Sequence, residues 1–109
     1  ADFLHGPIAL VSSGFPVFAV ATNGKVFQEL ANLVTRLKDN HQADIFLISD
    51  QSELLELADC PIRIPGGIPE WLSPLVTIIP AQLLSYHLTL NKGFDPDAPR
   101  GLKKVTRTQ

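Results

Sequence analysis

Methionine is absent from the 109 residues, and cysteine, tryptophan and tyrosine occur once each. Without a methionine, Ala1 does not read as a translated start, and the expectation is a processed or excised piece of a longer chain. The lone Cys60 has no internal partner, which excludes a disulfide framework. No Cys or His lies near it at ligand spacing, so neither a metal site nor thiol catalysis is supported, and nothing in the composition calls for a cofactor. A single thiol fits a reducing compartment, and the expected location is cytoplasmic. The N-terminus lacks the basic stretch and apolar run of a signal peptide, since Ala1 to Leu4 passes at once into His5-Gly6-Pro7.

Charge is scarce in two places, and each scarcity carries information. Residues 71 to 91 hold no Asp, Glu, Lys or Arg, yet Pro74, Pro80, Gln82, His87 and Asn91 interrupt the apolar residues. A membrane span needs about 20 predominantly apolar residues, so this stretch reads as a buried or interface helix. The last ten residues hold no acid but carry Arg100, Lys103, Lys104 and Arg107, leaving five bases against eleven acids in the rest. A net charge of -2 gives no overall attraction to nucleic acid or an anionic membrane, whereas the basic tail points to something anionic that it meets. With 45% hydrophobic and only 18% charged residues, disorder is excluded and one small domain, or part of one, is implied.

Short apolar runs alternate with helical periodicity. Pro16 to Ala21 (PVFAVA) and Asp44 to Ser49 (DIFLIS) are continuous and rich in branched residues, as in strands buried on both faces. Between them, Val26, Phe27, Leu30, Leu33, Val34 and Leu37 recur at helical spacing over Lys25 to Lys38. Gln51 to Ala58 reads as a short helix capped by Ser52 or Asp50, and Pro61 to Pro65 as a third strand. A long helix is expected from Pro69 to Lys92, kinked at Pro80 and stopped by Gly93. Strands joined by helical crossovers make a parallel sheet. Three strands are few, and PVFAVA has no feature that would protect an edge, so upstream strands are expected to complete the sheet. The resulting fold class is α/β, a three-layer doubly wound parallel sheet of which this is the C-terminal part, with residues 1–93 as the domain portion and 94–109 as a tail.

Three blocks carry a resemblance. Asp2-Phe3-Leu4-His5-Gly6-Pro7-Ile8-Ala9-Leu10 is similar to the acidic-x-x-His-Gly-Pro-x-Ala-Leu motif of the sugar isomerase (SIS) family, in the branch that contains the isomerase half of glucosamine-6-phosphate synthase. Pro80-Ala81-Gln82-Leu83-Leu84-Ser85-Tyr86-His87, leading to Lys92-Gly93, resembles that branch's kinked last helix. Asp95-Pro96-Asp97-Ala98-Pro99-Arg100-Gly101-Leu102-Lys103-Lys104-Val105-Thr106 resembles its D-x-D-x-P-R-x-L-x-K tail. Val105 stands where the synthase pattern has Ser, an ending more like the stand-alone proteins with two SIS domains.

What the resemblance implies is a flavodoxin-like SIS fold, binding of a sugar phosphate such as fructose-6-phosphate or glucosamine-6-phosphate, a homodimer, and aldose-ketose isomerisation coupled to amino transfer or deamination. The family's ring-opening histidine falls on His5, and a histidine suits proton shuttling near neutrality. Its tail lysine, which closes over the sugar, falls on Lys104, with Lys103 as the neighbouring candidate; a lysine supplies fixed positive charge or an imine. The family's glutamate base and its Ser/Thr-rich phosphate loop match nothing in this sequence, and Ala21-Thr22-Asn23-Gly24-Lys25 lacks P-loop spacing. The piece alone is therefore expected to be inactive.

Plainer readings stand beside these. His5 could cap a helix, and the tail bases could be a solvated end. His87 reads as a packing histidine, His41 as solvent-exposed in a polar connection, and Asp50 as a strand-end carboxylate without the acidic pair of a phosphoacceptor site. At the level of function the alternatives are a non-catalytic SIS module that senses a sugar phosphate, and a half-domain that only builds a dimer.

Overall fold

The computed structural model describes residues 2–99 and Gly101. Two short 3-10 turns, Asp2–His5 and Pro7–Leu10, precede strand β1 (Pro16–Ala21), helix α1 (Phe27–His41), strand β2 (Asp44–Ser49), helix α2 (Ser52–Leu55) and strand β3 (Cys60–Arg63). A further 3-10 turn, Glu70–Leu72, opens helix α3 (Ser73–Asn91). The strands form one parallel sheet in the order β1-β2-β3, with Val17 opposite Ile45 and Phe46 opposite Cys60. The fold class is α/β with helices flanking a parallel sheet, as the residue pattern required.

Alternation along β2 sorts the two faces. Ile45 and Leu47 are fully buried and join Val34 and Leu37 of α1, Leu54 and Leu55 of α2, Val11, Ala21 and Ala43 in one core cluster. The opposite parity, with Phe18 aligned to Phe46 and Val20 to Ile48, faces the side on which α3 packs. Helices on both faces of a parallel sheet are the doubly wound arrangement.

The two apolar strands differ in depth. β2 is buried from Leu47 to Ser49 and at Ile45, with Phe46 half-buried, whereas β1 alternates between half-exposed and exposed until Ala21, leaving Phe18 and Val20 open. The cause is position: β1 pairs only with β2, so among the described residues its outer edge has no partner.

Helix limits also differ from the sequence reading. α1 runs to His41, three residues past Lys38, because Gln42 adopts a left-handed conformation (φ 52°) and its N–H bonds the Leu37 and Lys38 carbonyls. His41 is thus helical and half-buried, its Nδ1 3.2 Å from the Val11 carbonyl, rather than in a solvated connection. α2 is only four residues long, and neither Ser52 nor Asp50 caps it: Gln51 occupies the cap without a side-chain bond. The Ser52 hydroxyl instead accepts from Arg63 Nη1 at 3.0 Å. α3 continues through Pro80 and ends where Gly93 (φ 72°) lets the Phe94 N–H reach the Thr89 carbonyl and the Gly93 N–H reach Leu90.

α3 is apolar nearly all round, yet only Ser73 and Thr77 along it are buried. Leu75, Ile79, Leu83, Tyr86 and Leu90 fall along one exposed stripe, with Leu75 64% accessible. His87 is likewise exposed and sits edge-on to Tyr86, with ring centroids 5.4 Å apart; the structure does not pack it as the sequence reading expected. Among the described residues no helix is long and apolar enough to cross a membrane.

One polar link ties three elements below the sheet. Asp59 takes both oxygens to Lys38 Nζ at 2.6 and 2.7 Å and accepts the Ile45 N–H at 2.8 Å. Lys38 and this backbone bond hold the Asp59 carboxyl below its ordinary value of 3.8. A depressed carboxylate adds stability above the unfolded value and loses it as pH falls through the folded one. In thermal unfolding of the parent protein, Asp59→Asn is therefore expected to lower Tm at neutral pH, with the gap to wild type closing as the pH drops below 3.8.

Candidate strand-end site

The carboxyl ends of β1 and β2 lie side by side, and in open parallel sheets ligands bind in the crevice beyond such ends. The polar groups gathered there begin with Ser49, the last residue of β2 and fully buried. Its hydroxyl donates to the Ala21 carbonyl at 2.5 Å and accepts the Gln51 N–H at 3.0 Å, joining the two strand ends and turning the chain into α2. Beyond it, Asp50 Oδ1 accepts the Asn23 N–H at 3.0 Å, and Glu70 Oε1 accepts the Lys25 N–H at 3.1 Å. The loop from Thr22 to Val26 is thus held by two carboxylates arriving from different elements.

A groove of about 400 Å³ separates this loop from α3, lined by Val20, Thr22, Ser73, Pro74, Thr77, Ile78 and Ala81. Thr22 Oγ1 donates to Ser73 Oγ across it at 3.3 Å, and Ser73 Oγ donates to the Glu70 carbonyl at 2.8 Å. No side-chain polar atom that is buried here goes without a partner, so the groove is a settled polar seam along an apolar wall. Among the described residues, no group of three or more His, Cys, Asp or Glu side chains gathers to hold a metal ion.

His5 lies elsewhere. It ends the first 3-10 turn, exposed, and among the described residues no hydrogen bond reaches its ring; the structure gives it no capping role. Its neighbours Phe3 and Leu4 line grooves against β1 and α1, so the turn is held by apolar contact while His5 stays exposed. Lys103 and Lys104 lie outside the described residues. Asp50 is accounted for as a loop anchor. Sequence reading missed Thr22, Ser49, Glu70 and Ser73 as strand-end groups; Ser49 after DIFLI and Ser73-Pro74 at a helix start were the available signals, because a hydroxyl at such a junction has backbone donors within reach.

The SIS domain model matches residues 1–92 of this sequence. The chain belongs to the SIS domain family. Among curated relatives it is 42% identical over 103 residues to the isomerising glutamine-fructose-6-phosphate aminotransferase of Thermococcus kodakarensis, covering 94% of this chain and 17% of that protein. It is 40% identical over 103 residues to the same-named protein of Pyrococcus horikoshii, with equal coverage of both chains. With that of Bacteroides thetaiotaomicron the identity is 37% over 105 residues, 95% of this chain and 17% of the relative. The SIS chain thus spans about one sixth of the length of these relatives.

The seam carries a stability test. Ser49→Ala removes the donor to the Ala21 carbonyl and the acceptor of the Gln51 N–H, leaving two groups unpaired in a buried place. The expected cost is about 1–3 kcal/mol, measured as a lower denaturant midpoint with unchanged slope.

Proposed function

We propose that this SIS chain forms part of an enzyme that isomerises fructose-6-phosphate and couples the step to amino transfer at C2. The observation that carries the proposal is the 42% identity, across 94% of the chain, to a relative named for that reaction. The His-Gly-Pro block and the basic tail, which hold His5, Lys103 and Lys104, agree with it.

Aldose-ketose isomerisation needs ring opening, proton movement between C1 and C2, and relief of charge developing on oxygen. His5 supplies the ring-opening proton relay, a reading that its exposure on a turn held by Phe3 and Leu4 contacts supports. Lys104, with Lys103 beside it, brings positive charge to the substrate when residues 94–109 close over it. The proton base and the phosphate loop come from the remaining five sixths of the parent, whose strands pair with the open edge of β1. The parent is a homodimer working in the cytoplasm, and the exposed apolar stripe of α3 lies in its buried interior.

In the intact parent, Lys104→Ala is expected to lower turnover of fructose-6-phosphate by roughly 10² or more, the scale of losing one group that stabilises developing charge. His5→Ala should fall in the same range, while Lys103→Ala should matter less. Steady-state kinetics decides the assignment: loss with Lys103→Ala alone moves the role by one residue, and unchanged turnover with all three marks a half-domain that only builds the dimer, with the chemistry elsewhere. Sedimentation of the parent at micromolar concentration should show a dimer or larger; a monodisperse monomer contradicts the assembly.

A further inference from the structure

Four asparagines occur in the sequence, and one of them differs from the rest in both neighbour and setting. Asn32 and Asn40 lie within α1 and Asn91 ends α3, each followed by a residue with a side chain. Asn23 precedes Gly24 and is exposed in the loop that carries β1 over to α1. Its surroundings are tied down, since the Asn23 N–H goes to Asp50 at 3.0 Å and the Lys25 N–H to Glu70 at 3.1 Å. The peptide unit that joins Asn23 to Gly24 is not. Among the described residues, neither the Gly24 N–H, the Asn23 carbonyl nor the Asn23 side-chain amide enters a hydrogen bond.

An asparagine side chain has the right length to close a ring with the nitrogen of the next residue. Glycine favours that closure because no Cβ crowds the attacking nitrogen. A helix opposes it, because the following N–H is already bonded to a carbonyl one turn back. Lys92 after Asn91 is held in this way, its N–H 3.1 Å from the Leu88 carbonyl.

We propose that Asn23 is a site of spontaneous covalent modification, converting through a succinimide to aspartate and isoaspartate and so unfastening the strand-end loop, with Glu70 as the brake on the reaction. The Gly24 nitrogen gives up its proton and attacks Asn23 Cγ. The N–Cγ bond forms, the Cγ–Nδ2 bond breaks, and Nδ2 takes up the proton and leaves as ammonia. Water then opens the ring: cleavage of the new N–Cγ bond gives aspartate, and cleavage between the Gly24 nitrogen and the backbone carbonyl carbon gives isoaspartate. Nothing is oxidised or reduced, and water is the co-reactant. Either product sets a carboxylate at position 23 beside that of Asp50, and like charges repel. Isoaspartate also lengthens the main chain between the two fastened N–H groups, so they no longer reach Asp50 and Glu70 together. Glu70 resists the first step because it holds Lys25 and because its carboxyl carbon lies 2.7 Å from where a Cβ on Gly24 would stand, so its charge disfavours an anionic nitrogen there. The site needs no substrate and is independent of the proposed function.

Peptide mapping of the full-length parent, aged in mildly alkaline buffer, tests the site. The peptide carrying Asn23 is expected to gain the mass of an amide NH2 replaced by OH and to split into two chromatographic forms, isoaspartate the larger, while the peptides carrying Asn32, Asn40 and Asn91 stay unchanged. Glu70→Ala should convert about tenfold faster, the factor that losing one bond to a charged group gives. Glu70→Gln keeps an oxygen for the Lys25 N–H and should fall between that variant and wild type. Hydrogen exchange of the loop peptide should quicken as the wild type ages and stay constant in Asn23→Ser, which removes the reactive amide at an exposed position. Conversion at Asn23 no faster than at the helical asparagines, or aspartate without isoaspartate, would overturn the site. Glu70→Ala ageing at the wild-type rate, or speeding every asparagine alike as general unfolding does, would overturn the brake. Unchanged loop exchange in fully converted protein would overturn the unfastening.

Discussion

Everything described depends on β2 being enclosed. Ile45, Leu47, Ile48 and Ser49 are each fully buried, with α1 and α2 on one face, α3 on the other and a parallel strand on either side. A parallel strand must be covered on both faces and must be reached by crossovers, so the enclosure of β2 dictates where the helices lie. It also delivers the ends of β1 and β2 to one edge. There the helical coverage stops and polar groups take over, beginning with the Ser49 hydroxyl.

The polar edge is organised by backbone donors rather than by side-chain pairs. Asn23 and Lys25 offer N–H groups at the mouth of a parallel sheet, a setting where such groups commonly receive anions. In this chain the anions are internal, Asp50 and Glu70. The chain therefore satisfies this loop with its own carboxylates. The apolar wall beside it and the exposed stripe of α3 leave apolar surface open, and an all-round apolar helix is stable in water only when covered.

The elements most easily read from the sequence were those with a single cause. PVFAVA and DIFLIS came out as Pro16–Ala21 and Asp44–Ser49 because continuous branched runs admit few other structures. Gly93 ended α3 because only a residue free of Cβ cost takes its conformation readily. Errors fell where two local solutions compete. Ser52 was read as a cap but found Arg63, a partner 11 residues away that no local pattern shows. The helix end at His41 depended on Gln42 entering the left-handed region, which a glutamine seldom does. His87 looked packed because its neighbours are apolar, whereas the helix that carries it is itself uncovered. The family was legible from contiguous motifs. The Glu70 to Lys25 link was not, since it joins residues far apart in sequence through a backbone donor that has no sequence signature.

The length of α3 gives its anchorage a mechanical meaning. Nineteen residues at 1.5 Å each make a rod of about 28 Å fastened at one end. A rotation of 5° about that end would carry the other by about 2.5 Å, close to the length of a hydrogen bond. Small changes at the start of α3 are thus magnified at its far end, near Gly93. The helix is a lever, and the tilt its start allows is set by the few polar bonds that fasten it there.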